Sequence, residues 1–153
     1  MENEKAEPVW LRLLKSSMNK LISSQAISPA LLGALLTIPT VGVTLLLSRT
    51  QTIEGLALLL MGIAAVYFGF AVSDGSRQAV LIEGGVVLLY LALCACGLWV
   101  SPLFLVVGYV LHGLWDLVHQ WQLVHTKMAA WYVPFCVTYD WIIAAFLLLR
   151  LSA

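Results

Sequence analysis

Charged residues are scarce in this sequence. Only 10% of the 153 residues are Asp, Glu, Lys or Arg, and the formal net charge is zero. This balance argues against a nucleic-acid partner, because such binding relies on clustered cations. In place of charge, 61% of the residues are hydrophobic and the mean hydropathy is +0.95. A soluble domain of this size carries far more charge, so the composition predicts an integral membrane protein.

Other absences narrow the class of membrane protein. The apolar runs do not alternate with polar residues, which excludes the strands of an outer-membrane barrel and predicts an all-α fold. No short apolar core with a small-residue cleavage site precedes the first long run, so we expect no removable signal peptide. The three cysteines, Cys94, Cys96 and Cys136, are interpreted as small apolar residues rather than as a disulfide or a metal site.

Five apolar segments are long enough to cross a membrane, since a hydrocarbon core of about 30 Å takes roughly 20 helical residues. The segments are Pro29 to Ser48, Ile53 to Val72, Ala79 to Val100, Pro102 to Gln120 and Trp131 to Leu149. Their short connections make neighbouring helices antiparallel. We therefore predict a polytopic bundle in which residues 29–153 form one five-span transmembrane domain and residues 1–28 form a cytoplasmic leader.

The distribution of Lys and Arg predicts the orientation of this bundle. With a cytoplasmic N-terminus, the cytoplasmic side holds Lys5, Arg12, Lys15, Lys20, Arg77 and Lys127, and the opposite side holds Arg49 and Arg150. We therefore expect a multi-pass inner (plasma) membrane protein with its N-terminus in the cytoplasm. Residues 8–22 of the leader have the spacing of an amphipathic helix, which would lie in the headgroup layer or pack on the bundle end.

Two features of the first two spans predict helix packing. Pro39 removes a backbone hydrogen bond to Leu35 in mid-helix, so we expect a kink at which nearby threonines satisfy the freed backbone groups. In the second span Ala65, Gly69 and Ser73 recur every four residues, which predicts a smooth face for close helix approach.

Ionisable side chains inside apolar spans are energetically costly and therefore mark candidate sites. They are Glu83 in span 3, His112, Asp116 and His119 in span 4, and Asp140 in span 5. Given the antiparallel order, all five lie in the cytoplasmic half of the bundle, and the three residues of span 4 share one helix face. The pattern predicts a polar pocket that opens to the cytoplasm and is lined by Trp115, Trp121, Trp131, Tyr139 and Trp141.

Three interpretations of this constellation remain open. His112, Asp116 and His119 are candidate ligands of a divalent metal. Because about 10.5 Å of helix rise separates the two histidines, one of them would pair with Asp116, together with Glu83 or Asp140 from a neighbouring helix. Alternatively, Asp116 orients a histidine for acid–base chemistry, and the low dielectric favours neutral carboxyl groups. Finally, the groups could satisfy one another and only hold the helices in register.

The expected function follows from these alternatives. One candidate is acid–base or metal-assisted catalysis on a lipid-soluble small molecule, with His112, Asp116 and His119 central and Glu83 and Asp140 supporting. The other is a non-enzymatic membrane module, either a proton or small-solute pathway or a structural subunit, with membrane lipid as its surroundings. A polar path to the far side would favour transport, but the outer halves of the spans hold only Glu54 and Arg49 near that rim. Whether the protein is an enzyme stays open.

The segment "HGLWDLVH", followed by "WYVPFCVTYDWIIAAF", resembles the C-terminal half of an uncharacterised family of small multi-pass membrane proteins with a His-x-x-Trp-Asp-x-x-His motif. The matching positions are His112, Trp115, Asp116, His119, Cys136 and Asp140, and Glu83 matches a glutamate of the preceding span. Gln120 departs from the family pattern, which has a second histidine there. The resemblance implies a five-span bundle with a shared polar site and brings no assigned activity.

Overall fold

A computed structural model describes residues 28–74, 76–124, 126 and 128–152. Within these residues the chain is all-α, as predicted, with no strand. The five helices are α1 (Pro29–Leu46), α2 (Arg49–Asp74), α3 (Arg77–Trp99), α4 (Leu103–Gln120) and α5 (Tyr132–Ser152). Each is long and apolar enough to cross a membrane. The predicted leader helix over residues 8–22 lies outside the described residues.

Serine side chains cap the N-termini of three of the helices. Ser28 Oγ accepts a hydrogen bond from the N–H of Leu31 at the start of α1, and Ser76 Oγ accepts one from Ala79 at the start of α3. At α2, Ser48 Oγ accepts from the N–H of Gln51 while Gln51 Oε1 accepts from the N–H of Ser48. This reciprocal capping box starts α2 at Arg49, four residues before the predicted start.

The helices are not packed in chain order. α5 lies between α1 and α4, α4 also contacts α3, and α3 packs along α2. α1 and α2 make few contacts with each other, and one link between them is the hydrogen bond from Thr52 Oγ1 to the carbonyl of Thr44 at 3.1 Å. A cleft therefore opens between α1 and α2, with α5 behind it.

Two glycines allow α5 to approach its neighbours. A Cβ atom on Gly33 of α1 would collide with the backbone carbonyl of Phe135 in α5. Gly113 of α4 lies under the indole ring of Trp141, which donates a 3.4 Å hydrogen bond to the carbonyl of Val110. These contacts explain how α5 packs closely between α1 and α4.

The predicted packing face of α2 was wrong. Ala65, Gly69 and Ser73 are exposed, and α2 buries instead the stripe of Leu60, Ala64, Tyr67 and Ala71. Small residues permit close approach but do not require it. Because α2 is apolar on all sides, hydrophobicity alone could not select the buried face.

Pro39 lies inside an α1 helix that continues on both sides of it. Thr37 Oγ1 donates to the carbonyl of Ala34 at 2.6 Å, and Thr40 Oγ1 donates to that of Leu36 at 3.0 Å. Proline at 39 leaves the carbonyl of Leu35 without its backbone donor. The two threonines bond instead to the carbonyls on either side of it. Thr40 also reaches Tyr139 of α5, with 2.8 Å between the two hydroxyl oxygens.

Candidate functional site

The five predicted site residues lie toward one end of the bundle. His112 is eight residues before the end of α4, and Asp140 is eight residues after the start of α5. Since both ends lie on the same side, the two residues are at the same depth, about 12 Å from it. Glu83, six residues into α3, is slightly nearer that end. The side chains of Glu83, His112, Asp116 and Asp140 are all fully buried, and His119 is 6% exposed.

His112, Asp116 and Asp140 form the first of two polar groups, here named the acid–histidine cluster. His112 Nδ1 lies 2.7 Å from Asp140 Oδ2 and 3.7 Å from Asp116 Oδ2. One metal-ligand atom from each of the three residues can be chosen so that all three lie within 4.8 Å of one another. A histidine from α4 therefore stands between two carboxyl groups from two different helices.

Each member of the acid–histidine cluster has one buried polar atom with no hydrogen-bond partner among the described residues. These atoms are His112 Nε2, Asp116 Oδ2 and Asp140 Oδ1. Buried polar atoms in native proteins are nearly always paired, because losing water without a replacement costs about 1–3 kcal/mol per group. Three such atoms in one cluster indicate a place for a further hydrogen-bonding or metal-binding partner.

Tyr67 of α2 completes the first cluster and was not among the predicted site residues. Its hydroxyl donates a hydrogen bond to Asp116 Oδ1, and its ring stacks on that of His119 with 4.4 Å between centroids. The available signal was a polar hydroxyl within an apolar span, two residues from the face that we expected to pack. Tyr67 thus holds the carboxyl group of Asp116 through Oδ1, while the other oxygen, Oδ2, has no partner.

The second group, here named the glutamate cluster, is fully hydrogen-bonded. Glu83 Oε1 lies 2.7 Å from His119 Nε2 and accepts a hydrogen bond from Thr126 Oγ1 at 3.0 Å. Glu83 Oε2 accepts from the indole N–H of Trp115 at 3.2 Å. His119 Nδ1 lies 3.0 Å from the carbonyl of Trp115. A carbonyl only accepts, so Nδ1 carries a hydrogen, and one further proton must lie between Nε2 and Oε1.

The structure thus divides the predicted site into two parts. One predicted metal pairing, His112 with Asp116 and Asp140, is brought together. The other, His119 with Asp116, is not, because His119 hydrogen-bonds to Glu83. His119 and Glu83 have every side-chain polar atom paired, which is the arrangement of a positioning network. Asp140, expected in a supporting role, is a direct partner of His112.

Two cavities lie near the clusters. One of about 430 Å³ is at the bundle end, beside the α4–α5 connection, with His119 and Thr126 in its wall. The other, the lateral cleft between α1, α2 and α5, has a volume of about 440 Å³ and reaches Asp140. The predicted aromatic lining was wrong for Trp121, Trp131 and Trp141, whose side chains are 65%, 51% and 43% exposed. Tyr139 does line a cavity, but it is the lateral one.

The opposite end of the bundle has an apolar core. Leu56, Leu60, Leu105, Ile143 and Leu147 are nearly inaccessible there. The hydroxyl of Tyr109 is used in a 2.8 Å hydrogen bond to the carbonyl of Leu56. No carboxyl or histidine side chain is buried in that half of the described chain, where the other buried polar side chains are Thr44 and Thr52. The two clusters therefore do not continue there as a path of ionisable groups.

A model of a family of unknown function (DUF6010) matches residues 24–152, and the chain belongs to that family. The match covers all five helices and both clusters, and it confirms the predicted membership of an uncharacterised family. No curated protein and no solved structure matches the chain. The membrane character and the His-x-x-Trp-Asp-x-x-His motif of the predicted resemblance stay predictions.

Proposed function

We propose that this member of the DUF6010 family is an integral membrane protein of the inner (plasma) membrane with a cytoplasmic N-terminus. Its support is the five long apolar helices and the apolar side chains that cover their outer faces, such as Ile38, Leu58 and Leu81, which are 65%, 75% and 68% exposed. Such a surface would aggregate in water and is suited to lipid. The cationic residues of the leader favour an orientation in which both clusters lie in the cytoplasmic half.

In this setting the acid–histidine cluster carries out acid–base or metal-assisted chemistry on a lipid-soluble molecule. The observation that carries the proposal is the set of three unpartnered atoms on His112, Asp116 and Asp140. A network that served only to join helices would have these atoms paired, as Glu83 is paired in the same chain. Unpaired buried groups in a native structure indicate a missing partner, such as a ligand, an ion or an ordered water.

Acid–base chemistry uses the contact between His112 and Asp140. The hydrogen bond at Nδ1 fixes the orientation of the imidazole ring and leaves Nε2 available as a proton donor or acceptor. Asp116 lies 3.7 Å from the same ring nitrogen, so two carboxyl groups and one histidine share their protons at close range. Tyr67 holds Asp116 in place by its hydroxyl. A proton taken from a bound molecule would thus stay inside the cluster.

A divalent cation is the second candidate, favoured by ligand atoms that lie within 4.8 Å of one another. Two carboxylates and a neutral histidine carry a charge of −2, which a divalent cation balances in a low-dielectric interior. Histidine nitrogen and carboxylate oxygen are common zinc ligands, and the hydroxyl of Tyr67 would orient one of them from behind. A metal bound there would act as a Lewis acid on a substrate oxygen.

The non-enzymatic alternatives have less support. A proton or solute pathway needs polar groups across the bundle, but the far half of the described core is lined by residues such as Leu105 and Leu147. A purely structural subunit, in which the two carboxyl groups share a proton, still leaves His112 Nε2 without a partner.

Elemental analysis of the detergent-purified full chain tests the metal form of this proposal. His112→Ala and Asp116→Asn are compared with the wild type, and Glu83→Gln is the matched control because Glu83 is an equally buried carboxyl group in the other cluster. Stoichiometric metal that is lost in the first two variants and retained in Glu83→Gln supports a metal centre. If the wild type holds no metal, that form of the proposal is wrong and the acid–base form remains.

The acid–base form is tested by comparing lipid extracts of membranes that contain each variant at equal abundance. We expect a lipid whose level changes with the wild type and with Glu83→Gln but not with His112→Ala. Identical extracts from the wild type and His112→Ala would contradict catalysis on a lipid.

A further inference from the structure

The lateral cleft between α1, α2 and α5 has an almost wholly apolar wall with a carboxyl group at its inner limit. Leu36, Leu58, Ile63 and Phe135 are among the side chains that line it. Asp140 is the sole acidic side chain that the described part of the chain contributes to the lining. It is fully buried and has an unpartnered oxygen, Oδ1. The cleft thus joins an apolar surface to a hydrogen-bond acceptor that lacks a donor.

The position of the cleft along the helices makes it accessible from the side of the bundle. Leu36 and Thr40 lie near the middle of α1, and Leu58 and Val66 lie in the central part of α2. Helices that cross a membrane hold these positions at the depth of the hydrocarbon. Leu58, which lines the cleft, is also 75% exposed at its mouth. An entering molecule therefore arrives from the lipid phase and not from water.

The charge of the lining limits the head group of such a molecule. No Lys, Arg or His of the described residues lines the cleft, and behind its inner limit two carboxyl groups lie beside a single histidine. An anionic head would therefore add negative charge without a compensating cation, which is unfavourable at low dielectric. Tyr139 and Thr40 direct their hydroxyl groups toward each other, 2.8 Å apart. The unpaired acceptor, Asp140 Oδ1, requires a hydrogen-bond donor.

We propose that the lateral cleft binds a long-chain lipid with an uncharged or cationic hydrogen-bond donor as its head, of the alcohol or amine class, whose donor bonds to Asp140 Oδ1. A volume of about 440 Å³ is within the range of about 300–1,000 Å³ for small-molecule sites. The chain lies between α1 and α2, and the head group reaches the acid–histidine cluster through Asp140. This inference rests on the proposed function, because it takes the helices to lie in a membrane and the cluster to act on a lipid-soluble molecule.

Gly62 offers a way to fill the cleft without disturbing the fold. It lines the cleft, and a Cβ atom built on it would meet no atom within 4 Å. Gly62→Phe therefore puts a ring into the space meant for the lipid chain. Gly85→Phe is the matched control, since Gly85 of α3 is equally open and is not part of the cleft lining.

The test is photolabelling of the full chain in phosphatidylcholine vesicles with a hexadecanol that carries a diazirine on its chain. Labelled peptides are mapped by mass spectrometry, and unlabelled hexadecanol, hexadecylamine and hexadecanoate compete. We expect labels on the α2 and α5 walls of the cleft, suppressed by the alcohol and the amine but not by the carboxylate. The labelling is lost in Gly62→Phe and retained in Gly85→Phe. Labelling that persists in Gly62→Phe overturns the proposal.

Asp140→Asn tests the head-group contact separately. Asn at 140 accepts from His112 with its oxygen and turns an uncharged amide N–H group, a donor, toward the head group. Hexadecanoate should therefore now compete as well as hexadecanol does. If hexadecanoate fails to compete for labelling of the variant, as it fails with the wild type, Asp140 does not determine which head group binds and that part of the proposal is wrong.

The proposal of lipid binding in the cleft and the proposal of chemistry at the acid–histidine cluster can be contradicted independently. Loss of specific labelling, with metal content or lipid extracts still altered by His112→Ala, overturns the cleft and leaves the chemistry standing. Specific labelling with neither property altered by His112→Ala supports the cleft as a lipid-binding site and overturns the chemistry.

Discussion

His112 and Asp116 stand one helical turn apart on α4, yet the ring of His112 hydrogen-bonds to Asp140 of α5. The Nδ1 atom lies 2.7 Å from Asp140 Oδ2 and 3.7 Å from Asp116 Oδ2. The histidine therefore joins two helices instead of pairing within its own. Asp116 is held by Tyr67 of α2, so three helices meet in the acid–histidine cluster.

This link predicts that two substitutions of Asp140 behave differently. Asp140→Ala leaves His112 Nδ1 buried without an acceptor and should lower the free energy of unfolding by about 1–3 kcal/mol. Asp140→Asn retains an acceptor and should fold with nearly the stability of the wild type. Thermal unfolding in detergent measures the difference. Equal stability of the two variants would show that the His112 contact contributes nothing.

The hydroxyl of Tyr67 should matter for ligand binding as well as for folding. Tyr67→Phe removes the donor to Asp116 Oδ1, and losing such an outer partner typically weakens metal binding by about 10- to 100-fold. Tyr109→Phe is the control, because it removes a buried hydroxyl that bonds to the carbonyl of Leu56. We expect both variants to lose stability, and only Tyr67→Phe to lose metal affinity in a chelator competition assay. Equal metal affinity in both variants would contradict a role for Tyr67 at the site.

The close approach of α1 to α5 predicts a third pair of variants. Gly33→Ala puts a methyl group against the carbonyl of Phe135, and separating the helices should cost about 1–3 kcal/mol of unfolding free energy. Gly42→Ala, on the same helix with no atom within 4 Å of its Cβ position, should be neutral or more stable by up to about 1 kcal/mol. Thermal unfolding of the two variants side by side checks this. A stable Gly33→Ala protein would mean that α1 packs elsewhere.

The sequence predicted the helices well because apolar length is a local property. Four of the five spans were expected close to the observed bounds. The start of the other, α2, was missed although its signal, the capping box of Ser48 and Gln51, is present in the sequence. The burial of Tyr67 was missed for another reason. A helix that is apolar all round has no preferred face, so only its contacts with neighbours decide the face that is buried.

The division of the site into two clusters could not be predicted from spacing. Helical periodicity placed His112, Asp116 and His119 on one stripe of α4, and all three are indeed buried. It does not tell which neighbour each side chain meets. In the structure His112 meets α5 and His119 meets Glu83 of α3, because the packing of α4 between α3 and α5 offers the two histidines different partners.

The glutamate cluster is fully hydrogen-bonded, whereas the acid–histidine cluster has unpartnered atoms. The unfolding free energies of Asp116→Asn and Glu83→Gln, measured in detergent with a chelator present, test this difference most directly. Asn at 116 still accepts from Tyr67 and removes a poorly paired buried charge, so stability should be unchanged or higher. Gln at 83 can still bond to His119 and Trp115 but loses the proton shared between Glu83 and His119, and with it a charge-assisted hydrogen bond, which should cost about 1–3 kcal/mol. If Asp116→Asn loses as much stability as Glu83→Gln, both clusters are structural and the account of a ligand site at His112, Asp116 and Asp140 is contradicted.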